Sequence, residues 1–555
     1  MANDIITEQL TGAQIFMKCL KEEGTDTVFG YPGAIILSIY EEFYKTTDVK
    51  HYLVRHEQAA IHAAEGYARV LDKCGVALVT SGPGATNAVT GIANAYLDGF
   101  PLVVFCGQVH SDLTGNDAFQ EVNIVDITRS CTKWSYQVRD VKDLAQTIKK
   151  AFFIATTGKK GPVVIDLPKD ILEAKTEFNP PVHPFAHPPI RSTEPNIELI
   201  RKSLSVLCEA KRPVIISGGG VLSANASSEL TELAQKLNIP VTTTLMGVGT
   251  FAQDDETNLG MLGVLGNYWA NQAVIECDVL FAVGTRFNDR IINPVKNCAK
   301  NARIIYLDLE PSAFSADFPI EFPIIGDAKE VLQLMLKDAY NFKSKPKISW
   351  IEEISGWKSK KIIPEVPSDK LHPHSVLEKI YDYTKNYSPI VATEVGQHQL
   401  WTAQAFKFKE PRKLLTSGGL GTMGFGFPAA MGACLADKNA LVLDIAGDGS
   451  IQMNIQELAT CVEYNLPVKV MIMNNGYLGM VRQWQEKLFE KHYCGTEISG
   501  PDFVKVAEAY GAKGIRVERE EEIIPALKEA IEYQGPVFID FIIEPLDVVY
   551  PYVAG

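Results

Sequence analysis

Short apolar runs rich in β-branched residues recur along the chain, and stretches with apolar residues three and four apart fill the gaps between them. GVALVT, PLVVFCGQ and GPVVIDLP come first. RPVIISGGG, CDVLFAVG and ARIIYLDLE follow, and PIVATEVG, ALVLDIAGDG, PVKVMIMNN and GPVFIDFII close the series. A strand that is apolar along its whole length belongs in a sheet covered on both faces, and regular alternation with helices makes that sheet parallel. The pattern therefore predicts an α/β protein. Two segments interrupt it. Residues 178–196 hold six prolines in nineteen, which no helix or central strand accommodates. The stretch from Phe342 to about His374 is polar and dotted with proline, although SWIEEISGWKSKK inside it reads as a helix. Cutting there predicts three domains, at 1–180, 190–342 and 370–545, each of ordinary size and each with a mainly parallel sheet flanked by helices. Ligands are expected where strands end at their carboxyl termini.

The first and last blocks share a layout. VALVTSGPGATNAVTGIANAYLDGFPLVVFCGQ runs strand, glycine turn, helix, then a proline that opens the next strand; ALVLDIAGDGSIQMNIQELATCVEYNLPVKVMIMNN repeats that order. Gly84 lies 17 residues before Pro101, and Gly449 lies 18 before Pro467. This predicts a duplicated domain with a third inserted between the copies.

Composition narrows the partners. The 555 residues include 53 Lys and Arg against 67 Asp and Glu, a net charge of −14 that disfavours nucleic acid and anionic membranes. No apolar run is long enough for a membrane span. The start, MANDIITEQL, lacks the basic or Arg-rich character of a targeting segment. The ten cysteines are scattered with no CxxC pair, as expected of reduced thiols in a cytoplasmic protein and not of a zinc site.

The chemistry begins at DIAGDGS, residues 444–450. ALVL before it reads as a buried strand, and residues 451–465 after it have helical spacing. The next strand ends in Asn474 and Asn475, with 24 residues between Gly449 and Asn474. Consecutive parallel strands end on one sheet edge, so Asp448 and the Asn pair should share a crevice beside a helix N-terminus. An isolated Asp at such a turn reads as a helix N-cap. With the Asn pair at this spacing, a carboxylate and an amide oxygen form a hard oxygen set for Mg2+, which typically shares its shell with phosphate.

GDGS…NN resembles the cofactor signature of thiamine diphosphate-dependent enzymes. The resemblance implies Asp448, Asn475 and the carbonyl of Tyr477 as Mg2+ ligands. It implies diphosphate contacts from Gly449 and Ser450, and from Gly396, Gln397 and His398 in TEVGQHQLW. In SGGLGTMGFGFPAAMGA it places Gly421 at the cofactor and makes Met423 the bulky residue that bends thiamine; Met480 belongs to the same set. HEQAAIHAAEGYAR offers Glu57 and Glu65, eight residues apart on one helical face and set among alanines that suit close packing. The family carries its catalytic glutamate directly after the histidine, so Glu57 is implied as catalytic and Glu65 as structural. In the family this glutamate serves a cofactor held by another chain, which implies an active homodimer or tetramer with sites between chains. The first domain would bind the pyrimidine, the last the diphosphate and Mg2+.

Across nearly the whole chain, TSGPGATN, TGNDAFQE, GPVVIDLPKD, GTRFNDR, GMVRQWQ and the ending YPYVAG resemble the catalytic large subunits of the biosynthetic acetohydroxyacid (acetolactate) synthases. That family decarboxylates pyruvate and condenses the resulting hydroxyethyl carbanion with pyruvate or 2-ketobutyrate. The products are 2-acetolactate or 2-aceto-2-hydroxybutyrate, for branched-chain amino acids. The resemblance implies Phe119, Gln120 and Lys169 along the path to the reacting carbon, and Trp484 with Met261 in the substrate pocket. It implies a structural FAD in a Rossmann-like middle domain, touched by Gly218, Gly219, Gly220, Gly284, Arg286, Asp289 and Asp308. Asn288 departs from the family's RFDDR form, and Lys159 stands where the family has an arginine near the flavin. A regulatory small subunit is also implied. A fermentative acetolactate synthase without FAD, a pyruvate oxidase with redox-active FAD, and a non-catalytic nucleotide-binding protein are the competing readings.

Overall fold

The computed structural model describes residues 9–180, 195–291, 301–311, 319–360 and 369–550. Most of the proline-rich first linker, residues 361–368 of the second, and YPYVAG beyond Tyr550 lie outside the described residues. Within the second linker, Ile348–Lys358 is a helix, as its pattern predicts.

Strand β1 (Gln9–Thr11) pairs antiparallel with β8 (Lys175–Glu177) and clasps the ends of the first domain together. Between them lie β2 (Thr27–Tyr31), β3 (Lys50–Leu53), β4 (Gly75–Val79), β5 (Leu102–Gln108), β6 (Trp134–Gln137) and β7 (Pro162–Pro168). They form one parallel sheet in the order β3-β2-β4-β5-β7-β6. The second sheet comprises β9 (Pro213–Ser217), β10 (Val241–Thr243), β11 (Asn258–Met261), β12 (Val279–Val283), β13 (Arg303–Asp308) and β14 (Ile320–Ile325). Its order is β11-β10-β9-β12-β13-β14, again parallel. The third comprises β15 (Ile390–Thr393), β16 (Leu414–Leu415), β17 (Val442–Gly447), β18 (Lys469–Asn474), β19 (Lys513–Val517) and β20 (Val537–Ile542), in the order β16-β15-β17-β18-β20-β19.

The first and third orders are the same permutation, so the shared layout seen in the sequence extends to whole sheets. Each sheet is buried on both faces. In β4, Val76 and Leu78 enter one apolar core while Ala77 and Val79 enter another. In β17, Leu443 and Ile445 face one side, Val442 and Ala446 the other. This is why these strands read as unbroken apolar runs.

The two copies meet through equivalent helices. Glu57–Leu71, between β3 and β4, packs on Gly426–Ala436, between β16 and β17. The alanines expected to favour close packing do so against this partner. A β-carbon on Gly66 would collide with the Ala429 carbonyl oxygen, and one on Gly432 with that of Ala63. Arg412 joins all three domains: its Nη2 lies 2.8 Å from Asp72 and 2.8 Å from Asn225 Oδ1.

Candidate functional site

Three strand ends of the third sheet build one half of the site. After β17 the chain turns at Asp448, which is buried and accepts from the Gly476 N–H (3.1 Å) beyond β18. Asn475 Oδ1 accepts from Tyr477 N (3.0 Å), and its Nδ2 reaches Gln397 Oε1 (3.5 Å) beyond β15. Asp448, Asn475, Tyr477 and Gln397 are thus brought together. Ser450 Oγ closes the turn on Gly447, accepting from its N (3.1 Å) and donating to its O (3.2 Å). Gly449 is closely packed: a β-carbon would lie 2.9 Å from the end of the Leu478 side chain and 3.1 Å from that of Ile498, which would have to shift to admit it.

One expectation fails here. Residues 451–465 do not form one helix starting at the turn. They make two single 3₁₀ turns, Ile451–Met453 and Ile455–Glu457, before a short helix, Leu458–Glu463. Side chains with outside partners break the ladder: Gln452 Nε2 donates to Asp448 O (2.8 Å), Asn454 Nδ2 to Gly424 O (2.6 Å), and Glu457 Oε1 accepts from Arg55 N (2.8 Å). The helix N-terminus at the cradle is that of Gln397–Ala405, capped at Gly396.

Asp448, Asn475, Tyr477, Gln397, His398, Gly449 and Ser450 do not line the large cavity described below, but their donor set would suit a metal-bound diphosphate. Burial pushes the Asp448 carboxyl up to about 6, a cost that a divalent cation would relieve. His398 is buried and neutral, its pKa pushed down to about 3 by desolvation, and its Nε2 has no protein partner. Among the described residues there is no group of three or more His, Cys, Asp or Glu placed to hold a metal ion. A set of one carboxylate, one amide and one carbonyl needs none.

The central sheet has the 3-2-1-4-5-6 order of dinucleotide-binding folds, with its switch point between β9 and β12. Gly284 stands there at φ +55°, with Gly220 against it. Gly218 N donates to Val283 O (3.0 Å) and Gly220 N to Gly284 O (2.8 Å), so the triple glycine serves close packing of two loops as well as a cavity wall. Above the switch point lies a cavity of about 990 Å³. It is lined by Gly219, Gly220, Gly284, Arg286 and Asp308, and it continues past Met261 to Gly396, Gly421, Met423, Met480 and Trp484. Thr285, on its wall, has a buried hydroxyl with no partner. Burial raises the Asp308 carboxyl, and Lys159 lies on the same wall, 3.8 Å from Glu310. Gly218 and Asp289 do not line the cavity; Asp289 is exposed and lies 3.5 Å from Arg290.

The N-terminal residues form a separate group. Glu57 is the first residue of its helix, and Asn87 Nδ2 donates to its Oε2 (3.0 Å). A β-carbon on Gly84 would lie 3.2 Å from the other oxygen. Gln120 stands in the left-handed region at φ 61°, packed against Gly82. Phe119 beside it is 88% exposed. Lys169 begins the short Lys169–Glu173 helix, 3.8 Å from Glu173. None of Glu57, Phe119, Gln120 and Lys169 lines the cavity within this chain.

Two features escaped the sequence reading. Glu394 is fully buried and accepts from Gly424 N (2.5 Å) and Phe427 N (3.0 Å), anchoring the segment just after Met423; burial raises its carboxyl. Asn87 sits in the SGPGATN segment, but only the fold puts it on Glu57.

The chain matches three families in succession. They are the thiamine pyrophosphate enzyme N-terminal TPP binding domain at residues 10–127, the central domain at 200–335 and the C-terminal TPP binding domain at 394–541. It is 43% identical to the acetolactate synthase large subunit of Haemophilus influenzae, over 98% of this chain and 96% of that one. It is 42% identical to the acetolactate synthase isozyme 3 large subunit of Escherichia coli, over 98% and 96%. Against the mitochondrial acetolactate synthase catalytic subunit of Saccharomyces cerevisiae the figure is 41%, over 98% and 82%. The chain belongs to the acetolactate synthase large-subunit family of thiamine diphosphate enzymes.

Proposed function

We propose that this chain is the catalytic subunit of a biosynthetic-type acetolactate synthase. It decarboxylates pyruvate and joins the two-carbon remainder to a second pyruvate, giving 2-acetolactate and CO2, or to 2-ketobutyrate, giving 2-aceto-2-hydroxybutyrate and CO2. The observation that carries the reading is the single cavity running from the dinucleotide switch point to Met423 and Trp484, in a chain whose full-length relatives bear this name.

Thiamine diphosphate, when bound, supplies the carbon nucleophile that adds to the ketoacid carbonyl and keeps the electron pair left as CO2 departs. The chain's own residues hold and orient. Asp448, the Asn475 side chain and the Tyr477 carbonyl would take Mg2+; Gly396, Gln397, His398, Gly449 and Ser450 would cradle the diphosphate. Met423, pinned from behind by Glu394 through the next residue's N–H, would prop the cofactor. Glu57 would serve as the proton-exchanging carboxyl toward the cofactor's pyrimidine, and Asn87, by occupying Oε2, would orient it. Met480 and Trp484, on the Gly479–Leu488 helix, would narrow the acceptor pocket with Met261 opposite.

Condensing two ketoacids with loss of CO2 is redox-neutral. An FAD held at the switch point, with Arg286, Asp308 and Lys159 on the cavity wall, would therefore have a structural role in this reading. Glu57, Gln120 and exposed Phe119 do not line the chain's own cavity, which supports a homodimer or tetramer in which they complete a neighbour's site. The relatives' names, large subunit and catalytic subunit, support a regulatory small subunit. No described helix is long and apolar enough to cross a membrane; the scattered cysteines of the sequence support a cytoplasmic enzyme.

The test is product analysis by mass spectrometry, with purified protein, thiamine diphosphate, Mg2+ and FAD. Pyruvate alone should give acetolactate, and added 2-ketobutyrate should divert it to the longer product. Acetate or acetyl phosphate instead would make the protein an oxidase.

A further inference from the structure

The Ser417–Thr422 turn lines the cavity and leads directly into Met423. It contains Gly418, Gly419 and Gly421, residues that leave a backbone free to adopt many conformations. Much of what holds it comes from the N-terminal domain. Asn94, on the Val89–Asp98 helix, is completely buried. Its Oδ1 accepts from Ser417 Oγ (2.5 Å) and Thr422 Oγ1 (3.0 Å), and its Nδ2 donates to Glu65 Oε2 (2.9 Å). One turn on, Asp98 Oδ1 accepts from Gly419 N (2.6 Å) and Oδ2 from Arg69 Nη2 (2.6 Å). Arg69 also donates to Thr416 O (2.7 Å) and through Nε to Glu65 Oε1 (3.0 Å). From its own domain the turn receives Gln399, whose Nε2 donates to Thr416 Oγ1 (2.7 Å) and Ser417 O (3.0 Å).

Burying an arginine, two carboxylates and an amide is a costly way to glue two domains, since apolar residues of like volume often serve stability as well. What such a network adds is direction. Each bond fixes one atom of a turn that its glycines leave undetermined. We infer that Asn94 and Asp98 are positioning residues for the thiamine diphosphate site, setting the conformation of the 417–422 turn and, through it, the place of Met423. The inference rests on the reading above that Met423 props the cofactor.

Four measurements on the full-length protein test it: thiamine diphosphate titration with Mg2+ followed by tryptophan fluorescence, amide hydrogen exchange over residues 416–424 without cofactor, pyruvate kinetics, and thermal unfolding. In Asn94→Ala, half-saturation by thiamine diphosphate should rise and kcat fall, each about tenfold, with KM for pyruvate within about twofold. Exchange in the turn should quicken before any cofactor is added. Thr422→Val removes the same node from the other side and should share the defect; Thr422→Ser keeps the hydroxyl and should retain affinity. A folded Asn94→Ala that melts earlier but keeps cofactor affinity, exchange and kcat would overturn the inference. Should that variant fail to fold, Thr422→Val against Thr422→Ser decides by the same readouts. Asp98→Asn, which weakens the hold on Gly419, should share the affinity and exchange defects. A wild-type protein that binds the cofactor but makes no acetolactate would refute the proposed function alone, leaving titration and exchange to judge Asn94 and Asp98.

Discussion

Gly66 and Ala429 meet where no side chain fits between them: the Ala429 carbonyl oxygen occupies the place a Gly66 β-carbon would take. The contact sits where the equivalent helices of the two copies cross, and Gly432 against Ala63 repeats it from the other side. Gly66→Ala or Gly432→Ala must push two backbones apart. Each should lower stability by about 1–3 kcal/mol in denaturant unfolding. A variant as stable as wild type would show that the helices can part freely.

Glu57 is expected to carry proton exchange. Glu57→Ala should keep thiamine diphosphate binding and lose turnover by ~10²–10⁴-fold, the usual worth of a general acid–base group. Asn87→Ala, which frees the Glu57 carboxylate to turn, should lose less. Near-normal acetolactate formation by Glu57→Ala would remove the glutamate from the mechanism.

Metal dependence should follow Asp448. Chelation should abolish activity and Mg2+ restore it, and Asp448→Asn should raise the Mg2+ needed for half-maximal rate by at least about tenfold. An unchanged Mg2+ titration in that variant would point to a different ligand set.

A pH effect on stability is expected from Asp166, in β7 and far from the metal cradle. Its Oδ2 accepts from Gln108 (3.1 Å) and Gln137 (3.0 Å), while Oδ1 is buried without a partner. Burial pushes its carboxyl up to about 7. Between the ordinary Asp range near ~4 and that value, the folded chain holds a proton that the unfolded chain has released, so stability falls as pH rises through the window and levels off above it. Asp166→Asn carries no such proton. Its melting temperature should exceed wild type by more at about pH 8 than at about pH 5. An equal difference at both pH values would mean that Asp166 does not titrate there.

Much of this was legible in the sequence because buried parallel strands have no polar face to hide. GVALVT, PLVVFCGQ and ALVLDIAGDG appear as β4, β5 and β17 with edges shifted by one or two residues. That Asp448 meets the segment after β18 followed from consecutive strands ending on one sheet edge. The helix after DIAGDGS did not, because Asn454 and Glu457 bond to Gly424 and Arg55, partners 30 and 402 residues away that no local period reveals. Asn94, Asp98 and Glu394 were hidden for the same reason: each acts on a turn that only the folded chain brings to it.

Acceptor choice is expected to depend on Trp484. Trp484→Leu should widen the pocket and reduce preference for 2-ketobutyrate over pyruvate in a competition assay. An unchanged product ratio would place selectivity elsewhere.

The central claim is a redox-neutral condensation beside a flavin that does no redox chemistry. The most direct test is the absorbance spectrum of the FAD-loaded protein, recorded while pyruvate is consumed with thiamine diphosphate and Mg2+ present. A flavin spectrum that stays oxidised as acetolactate and equimolar CO2 accumulate is the predicted result; bleaching of the flavin in step with pyruvate loss would contradict it.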